Sequence, residues 1–217
     1  MRGRWIGILA LLASTASIAG ELKVAVIDQR GRPVADAVVS VTPKPGTNPG
    51  VPKAPASRVK TINQVAITFV PYLQVFRPGD KVVFHNSDRT RHHVYSFSPV
   101  KSFEFMLNPG ETSPTLLLDK TGVVAVGCNI HDPMITYLVV SDAPWVARTP
   151  ADGKLAWSDL PKGSYSINAW QPRLKPGKQA ATQTLVMASG NDSHALSFKL
   201  VLLPDSRRKP DHEHVGY

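Results

Sequence analysis

The sequence predicts an all-β protein, and three observations support this. Nineteen Pro and fifteen Gly among 217 residues favour turns over long helices. Short apolar runs, separated by turn signals such as Pro78-Gly79-Asp80 and Pro109-Gly110, recur at about the 8–12-residue spacing of a β-sandwich. Hydrophobic residues make up 42% and charged residues 19%, so the chain can bury a core. These features favour β-sandwiches and argue against a helix bundle.

Residues 1–20 are predicted to form a secretory signal peptide. Arg2 and Arg4 precede an apolar run from Trp5 to Leu12, and small residues follow up to Gly20. A membrane-spanning helix needs about 20 apolar residues, and this run is shorter. We therefore expect an exported protein without a membrane span.

The chain is basic, with a formal net charge of +9. Its Lys and Arg residues are scattered and do not form one run with interleaved aromatic residues, so a nucleic-acid partner is not expected. A basic exported protein is instead attracted to acidic partners. The charge therefore predicts a protein partner with an acidic face.

The chain divides into segments of different character. Residues 22–41 have the pattern of two strands joined by a turn, and residues 43–57 hold five prolines, which is typical of an extended linker. Further strands separated by Asp-Gly and Pro-Lys-Gly turns are predicted after residue 142, and residues 203–217 are predicted to be a flexible tail. The middle segment is predicted to contain strands at residues 66–69, 72–76, 81–86, 93–97, 115–118, 123–128 and 135–140.

The two flanking segments resemble one known family. Gly31-x-Pro33-Val34 and, much later, Asp159-Leu160-Pro161-x-Gly163-x-Tyr165 are similar to the carboxypeptidase regulatory-like, transthyretin-like β-sandwich. The resemblance implies that residues 21–58 and 143–202 form one discontinuous domain, with residues 59–142 inserted into one of its loops. Two independent flanking pieces are the alternative.

The single cysteine points to chemistry, because exported proteins normally use cysteines in pairs. Cys128, His131 and Met134 follow one another in a Cys-x2-His-x2-Met pattern. Thiolate, imidazole and thioether together suit copper, and a second histidine would complete a type 1 site. His92 or His93 can supply it. The alternatives are an inert buried thiol and a zinc site, and a thioether is unusual for zinc.

Residues 63–140 resemble a second known family. Arg91-His92-His93-Val94 and Gly127-Cys128-Asn129-Ile130-His131-Asp132-x-Met134 are similar to cupredoxins of the plastocyanin and amicyanin type, and especially to the methylamine utilisation proteins. The resemblance implies a Greek-key cupredoxin sandwich with one type 1 copper ion. Its ligands would be His92, Cys128, His131 and Met134, with His93 as the alternative to His92.

The resemblance also implies a function. We expect a periplasmic, mononuclear copper protein that transfers single electrons, through His131, between redox partners such as a c-type cytochrome or a dehydrogenase with an acidic face. A filled coordination shell leaves no position for a substrate, so an enzyme is not expected. The alternative is a non-redox copper-binding or carbohydrate-like binding module, attached to a larger periplasmic assembly, with Trp157, Tyr165 and Trp170 as its platform.

Overall fold

The chain is described by a computed structural model that covers residues 20–47, 49–178, 180–189, 192–205 and 207. Within these residues it has sixteen strands and no helix, so the predicted all-β fold class is confirmed. It follows that the part of the chain described has no helix that could cross a membrane. The predicted signal peptide lies outside the described residues except for Gly20, and so does the predicted tail except for residues 203–205 and 207.

The strands are short and follow one another closely along the chain. They are β1 (Gly20–Asp28), β2 (Val38–Pro43), β3 (Val59–Gln64), β4 (Phe69–Val70), β5 (Leu73–Phe76), β6 (Asp80–Asn86), β7 (His92–Ser98), β8 (Lys101–Leu107), β9 (Leu116–Leu118), β10 (Gly122–Cys128), β11 (Ile135–Val140), β12 (Trp145–Arg148), β13 (Lys154–Leu160), β14 (Gly163–Trp170), β15 (Ala181–Met187) and β16 (Ser193–Leu200).

The first two strands and the last five form two sheets, with strand orders β13-β1-β16 and β12-β2-β14-β15. Strand β1 pairs antiparallel with β13 and parallel with β16, so the first described strand is joined to the last described strand. Alternate residues of these strands point to a shared core that contains Leu22, Val41, Ile167 and Phe198. We call this half the outer sandwich.

Strands β3 to β11 form two other sheets, with strand orders β5-β11-β10-β7-β8 and β4-β3-β6-β9. Their core contains Ile62, Phe84, Val94 and Leu138, and Cys128 belongs to the same apolar cluster. We call this half the inner sandwich. In the sequence, the strands of the inner sandwich all lie between those of the outer sandwich, as expected for an inserted middle domain. The exact domain limits stay a prediction.

The two sandwiches are in contact along a small third cluster. Val38 of the outer sandwich packs with Leu73 and Val139 of the inner one, and the rings of Tyr137 and Trp170 lie 6.4 Å apart. The Arg77 guanidinium also donates hydrogen bonds to the carbonyls of residues 143 and 144, where the chain leaves the inner sandwich.

Two predicted features of the inner sandwich differ from the structure. Of the predicted strand 66–69, only Phe69 belongs to a strand, β4; residues 66–68 do not, because Val65 and Thr68 hydrogen-bond to each other across a tight turn. Ala66 and Ile67 form this turn at φ values of 50° and 55°, which cost an L-residue roughly 1–2 kcal/mol each. Strand β8 was not predicted, although Ser102, Glu104 and Met106 alternate with the partly buried Phe103 and Phe105.

Candidate metal centre

The strand register brings Cys128 and His92 to the same end of the inner sandwich. Cys128 ends β10 and pairs with Val94 of β7. His92 lies two residues before Val94 on β7, so the side chains of His92 and Val94 point to the same face of the sheet. The side chain of Cys128, which is paired with Val94, points to that face as well. In an antiparallel pair, the position beyond Cys128 faces the start of β7. The loop that leaves β10 and carries His131 therefore runs past His92.

The alternation along β7 separates the two neighbouring histidines. His92 and Val94 point into the core, and the side chain of His92 is fully buried. His93 points to the other face, where its Nε2 lies 2.6 Å from Oε1 of Glu104 and its ring is 6.4 Å from that of Tyr95. In this arrangement His92, and not His93, faces the cysteine.

Three potential ligand atoms converge at this point. Cys128 Sγ lies 3.7 Å from His92 Nδ1 and 3.7 Å from His131 Nδ1, and the two nitrogens are 3.2 Å apart. Among the described residues this is the cluster of histidine, cysteine and carboxylate side chains that could hold a metal ion. Cys128 and His92 are buried, whereas His131 is partly exposed.

These distances are those expected for ligands of one metal ion. Bonds of about 2.0–2.1 Å to nitrogen and about 2.3 Å to sulfur, as found for zinc, place the ligand atoms about 3.3–3.8 Å apart at tetrahedral to trigonal angles. The two sulfur–nitrogen distances fall within this range, and the nitrogen–nitrogen distance lies just below it. Two imidazoles and one thiolate are also the ligands that blue copper sites use. The residues therefore fit a copper ion.

Met134, the fourth predicted ligand, is buried in the same apolar cluster as Cys128. The loop between β10 and β11 returns it to the core: the N–H of Met134 donates a hydrogen bond to the carbonyl of His131 at 3.0 Å. His131 and Met134 thus lie at the two ends of one turn of this loop. A buried thioether in the same apolar cluster as the thiol is consistent with a weak axial copper ligand.

Asp88 was not predicted as part of the site. Its Oδ2 atom lies 2.9 Å from Nε2 of His92, the ring nitrogen opposite the one that faces Cys128. Burial alone would raise the pKa of Asp88. Hydrogen bonds from the His92 ring and from the backbone N–H groups of Ile67 and Ala66 outweigh burial and lower the pKa below 3.8. The spacing of Asp88 four residues before a candidate ligand was the available signal.

The other candidate residues do not join this cluster. Tyr165 is fully buried in the outer core, and Trp170 packs against Tyr137 between the sandwiches. Tyr165 is therefore unavailable for the carbohydrate platform that the sequence offered as an alternative.

No family model matches the chain, and no curated protein matches it. Several solved structures that are similar to part of it are copper proteins by name. A purple cupredoxin from Nitrosopumilus maritimus is 20% identical, with 37% of this chain and 98% of that one covered and a TM-score of 0.34. A mutant of amicyanin in the Cu(I) state is 16% identical, with 38% and 82% covered and a TM-score of 0.35. Both TM-scores are low, so these similarities carry no functional argument.

A third similar structure corrects one prediction. The copper-containing nitrite reductase from Thermus scotoductus is 22% identical, with 44% of this chain and 25% of that one covered and a TM-score of 0.35. That protein is an enzyme by name, so the prediction that this chain is not an enzyme is wrong as an inference from its resemblance to cupredoxins. A cupredoxin-like fold is compatible with both electron carriers and enzymes.

Proposed function

We propose that the protein binds one copper ion of type 1 through His92, Cys128, His131 and Met134 and transfers single electrons between redox partners. The observation that carries this proposal is the convergence of Cys128 Sγ and the Nδ1 atoms of His92 and His131 within 3.7 Å of one another. The buried methionine on the same loop supports copper over zinc. A copper ion held there supplies one-electron chemistry by cycling between Cu(I) and Cu(II).

The residues around the site have distinct roles in this proposal. His92 and Cys128 are held by paired strands, which keeps two donor atoms in place and limits rearrangement when the charge changes. Their burial keeps water from this side of the site. His131 lies on the loop and is partly exposed, so it connects the site to the surface and is the proposed point of electron exit.

The surface beside the site supports an acidic partner. Arg89 and Arg91 are exposed in the segment between β6 and β7 that leads into His92. Ile130, next to His131 in the sequence, is 46% exposed. A partner such as a c-type cytochrome or a dehydrogenase with an acidic face would be steered by the arginines and would dock its apolar centre near His131.

We also propose the finer assignments that the sequence suggested. Residues 59–142 would be a cupredoxin domain of the methylamine utilisation protein type, inserted in a carboxypeptidase regulatory-like sandwich of residues 21–58 and 143–202. The pattern of residues 1–20 supports export to the periplasm. The pairing of β1 with β16 supports an outer domain assembled from both ends of the chain.

The visible and electron paramagnetic resonance spectra of the purified protein with added Cu(II) test the proposed function. We expect an intense thiolate-to-copper absorption band and a narrow copper hyperfine splitting, both lost in Cys128→Ser. Reversible oxidation and reduction of the coloured protein would support electron transfer. A protein that shows the same weak copper spectrum with and without the thiol would overturn the proposal.

A further inference from the structure

Asp88 connects the candidate metal centre to a turn that the sequence does not favour. Its Oδ2 atom lies 2.9 Å from Nε2 of His92 and accepts a hydrogen bond of 3.0 Å from the N–H of Ile67. Its Oδ1 atom accepts one of 2.6 Å from the N–H of Ala66. One carboxylate therefore contacts both central residues of the turn between β3 and β4 and the buried histidine.

The conformation of that turn points to a function. Ala66 and Ile67 both adopt positive φ, a region that tight hairpin turns normally fill with Asn-Gly or Asp-Gly. Non-glycine residues stay in such a conformation only where the surroundings hold them there, and such residues concentrate at functional sites. Here the carboxylate of Asp88 provides the holding contacts, and Ile67 remains largely exposed.

The position of Asp88 is itself fixed from the other side. Its N–H donates to Oδ1 of Asn86 at 2.9 Å. The amide nitrogen of Asn86 donates to the carbonyls of Thr90 and Leu107, each at 2.9 Å. The segment between β6 and β7 is thus tied together by side chains, and the carboxylate has little freedom to leave the His92 ring.

We propose that Asp88 is a positioning residue for His92, an inference that rests on the proposed copper function. A histidine that binds metal through Nδ1 must carry its proton on Nε2, and the carboxylate selects this tautomer by accepting that proton in a hydrogen bond. It also fixes the ring with Nδ1 directed at Cys128 and His131. Its negative charge stabilises Cu(II) more than Cu(I), so it lowers the reduction potential and increases Cu(II) affinity.

The experiment compares Asp88→Asn with Asp132→Asn. Asp132 is an exposed carboxylate adjacent to His131, so its replacement removes the same charge near the site without removing a contact to His92. In the metal-free protein, nitrogen NMR of the histidine rings reports the tautomer of His92. In the copper-loaded protein, voltammetry reports the potential and competition with a chelator reports the affinity.

In Asp88→Asn we expect the uniform Nε2–H tautomer of His92 to be lost and the reduction potential to rise. Cu(II) binding should weaken about 10–100-fold, which is the usual effect of removing a hydrogen-bond partner of a metal ligand. Asp132→Asn should keep the Nε2–H tautomer of His92 and should change the Cu(II) affinity and the reduction potential much less. Equal changes in both variants, or an unchanged tautomer in Asp88→Asn, would overturn the proposal. A wild-type protein that binds no copper would overturn the proposed function, while the metal-free tautomer comparison would still decide the role of Asp88.

A second variant covers the case in which Asp88→Asn does not fold. Ala66→Asn together with Ile67→Gly gives the turn residues that favour positive φ and keeps both N–H donors. This pair should stabilise the fold and leave the reduction potential unchanged. Asp88→Asn introduced into that background should fold and show the same changes at His92. If it folds and the potential stays at the wild-type value, Asp88 only holds the turn.

Discussion

The outer sandwich and the site end of the inner sandwich use buried polar groups in different ways. In the outer sandwich the Thr149 hydroxyl donates to the carbonyl of Val34 and accepts from the N–H of Ala37, and Tyr165 donates to the carbonyl of Pro161. In the inner sandwich Cys128, His92 and His131 face one another. The side chains of the outer sandwich satisfy backbone groups of neighbouring segments and so hold those segments together. The side chains at the site instead direct potential ligand atoms at one another, which leaves a position for a ligand.

The largest expected effect separates the two adjacent histidines. His92→Asn should abolish the intense visible band of the copper-loaded protein, because it removes one of three converging ligand atoms. His93→Asn should keep the band, because His93 points to Glu104 on the opposite face. Absorption spectra of both variants, with circular dichroism to establish folding, test this. Loss of the band in His93→Asn alone would reverse the ligand assignment.

A matched pair of core substitutions tests whether the two sandwiches unfold separately. Ile62 and Ile167 are both fully buried, one in each core, and replacing either by Ala should cost about 2–5 kcal/mol of unfolding free energy. The tryptophans after residue 20, Trp145, Trp157 and Trp170, all lie in the outer sandwich, whereas the copper colour reports the inner one.

In urea, Ile167→Ala should therefore lower the midpoint of the tryptophan fluorescence change, and Ile62→Ala the midpoint of the loss of colour. Copper at a free concentration 100 times its dissociation constant should add about 2.7 kcal/mol to the inner sandwich and little to the outer one. Identical shifts of both signals in both variants would mean that the cluster around Val38, Leu73 and Val139 makes them one cooperative unit.

How much of the site the sequence could predict depended on how local each contact is. Cys128, His131 and Met134 lie on one loop, so their spacing alone was informative. To choose between His92 and His93 as the ligand, one has to know where β7 begins, because a shift of one residue exchanges the two faces of a strand. Asp88 was missed because the N–H groups that hold its carboxylate come from a turn more than twenty positions earlier, and Ala66-Ile67 carries no turn signal.

A smaller effect is expected in the outer sandwich. The hydroxyl of the fully buried Tyr165 donates a 2.6 Å hydrogen bond to the carbonyl of Pro161. Tyr165→Phe leaves that carbonyl without this donor and keeps the ring against Trp145, so it should cost about 0.5–1.5 kcal/mol. Urea denaturation followed by tryptophan fluorescence measures the loss. A changed copper spectrum in this variant would show coupling between the two regions that the comparison does not predict.

The smallest expected effect depends on pH and concerns Asp80, at the start of β6. Burial would raise the pKa of its carboxyl, but the N–H groups of Arg77 and Arg58 and the ammonium of Lys60 outweigh burial and lower the pKa below 3.8. A lowered folded-state pKa contributes stability that is fully present above the unfolded value of about 3.9 and is lost as the pH falls through the folded value.

The stability advantage of the wild type over Asp80→Asn should therefore be constant above about pH 5 and shrink as the solution is acidified below about pH 4. The exposed Asp119→Asn removes a charge from the surface of the same sandwich and is the control. Urea midpoints of the metal-free variants between pH 3 and 7 measure both differences. An advantage that grows on acidification would mean that Asp80 is better stabilised in its protonated form, contrary to the hydrogen bonds that it accepts.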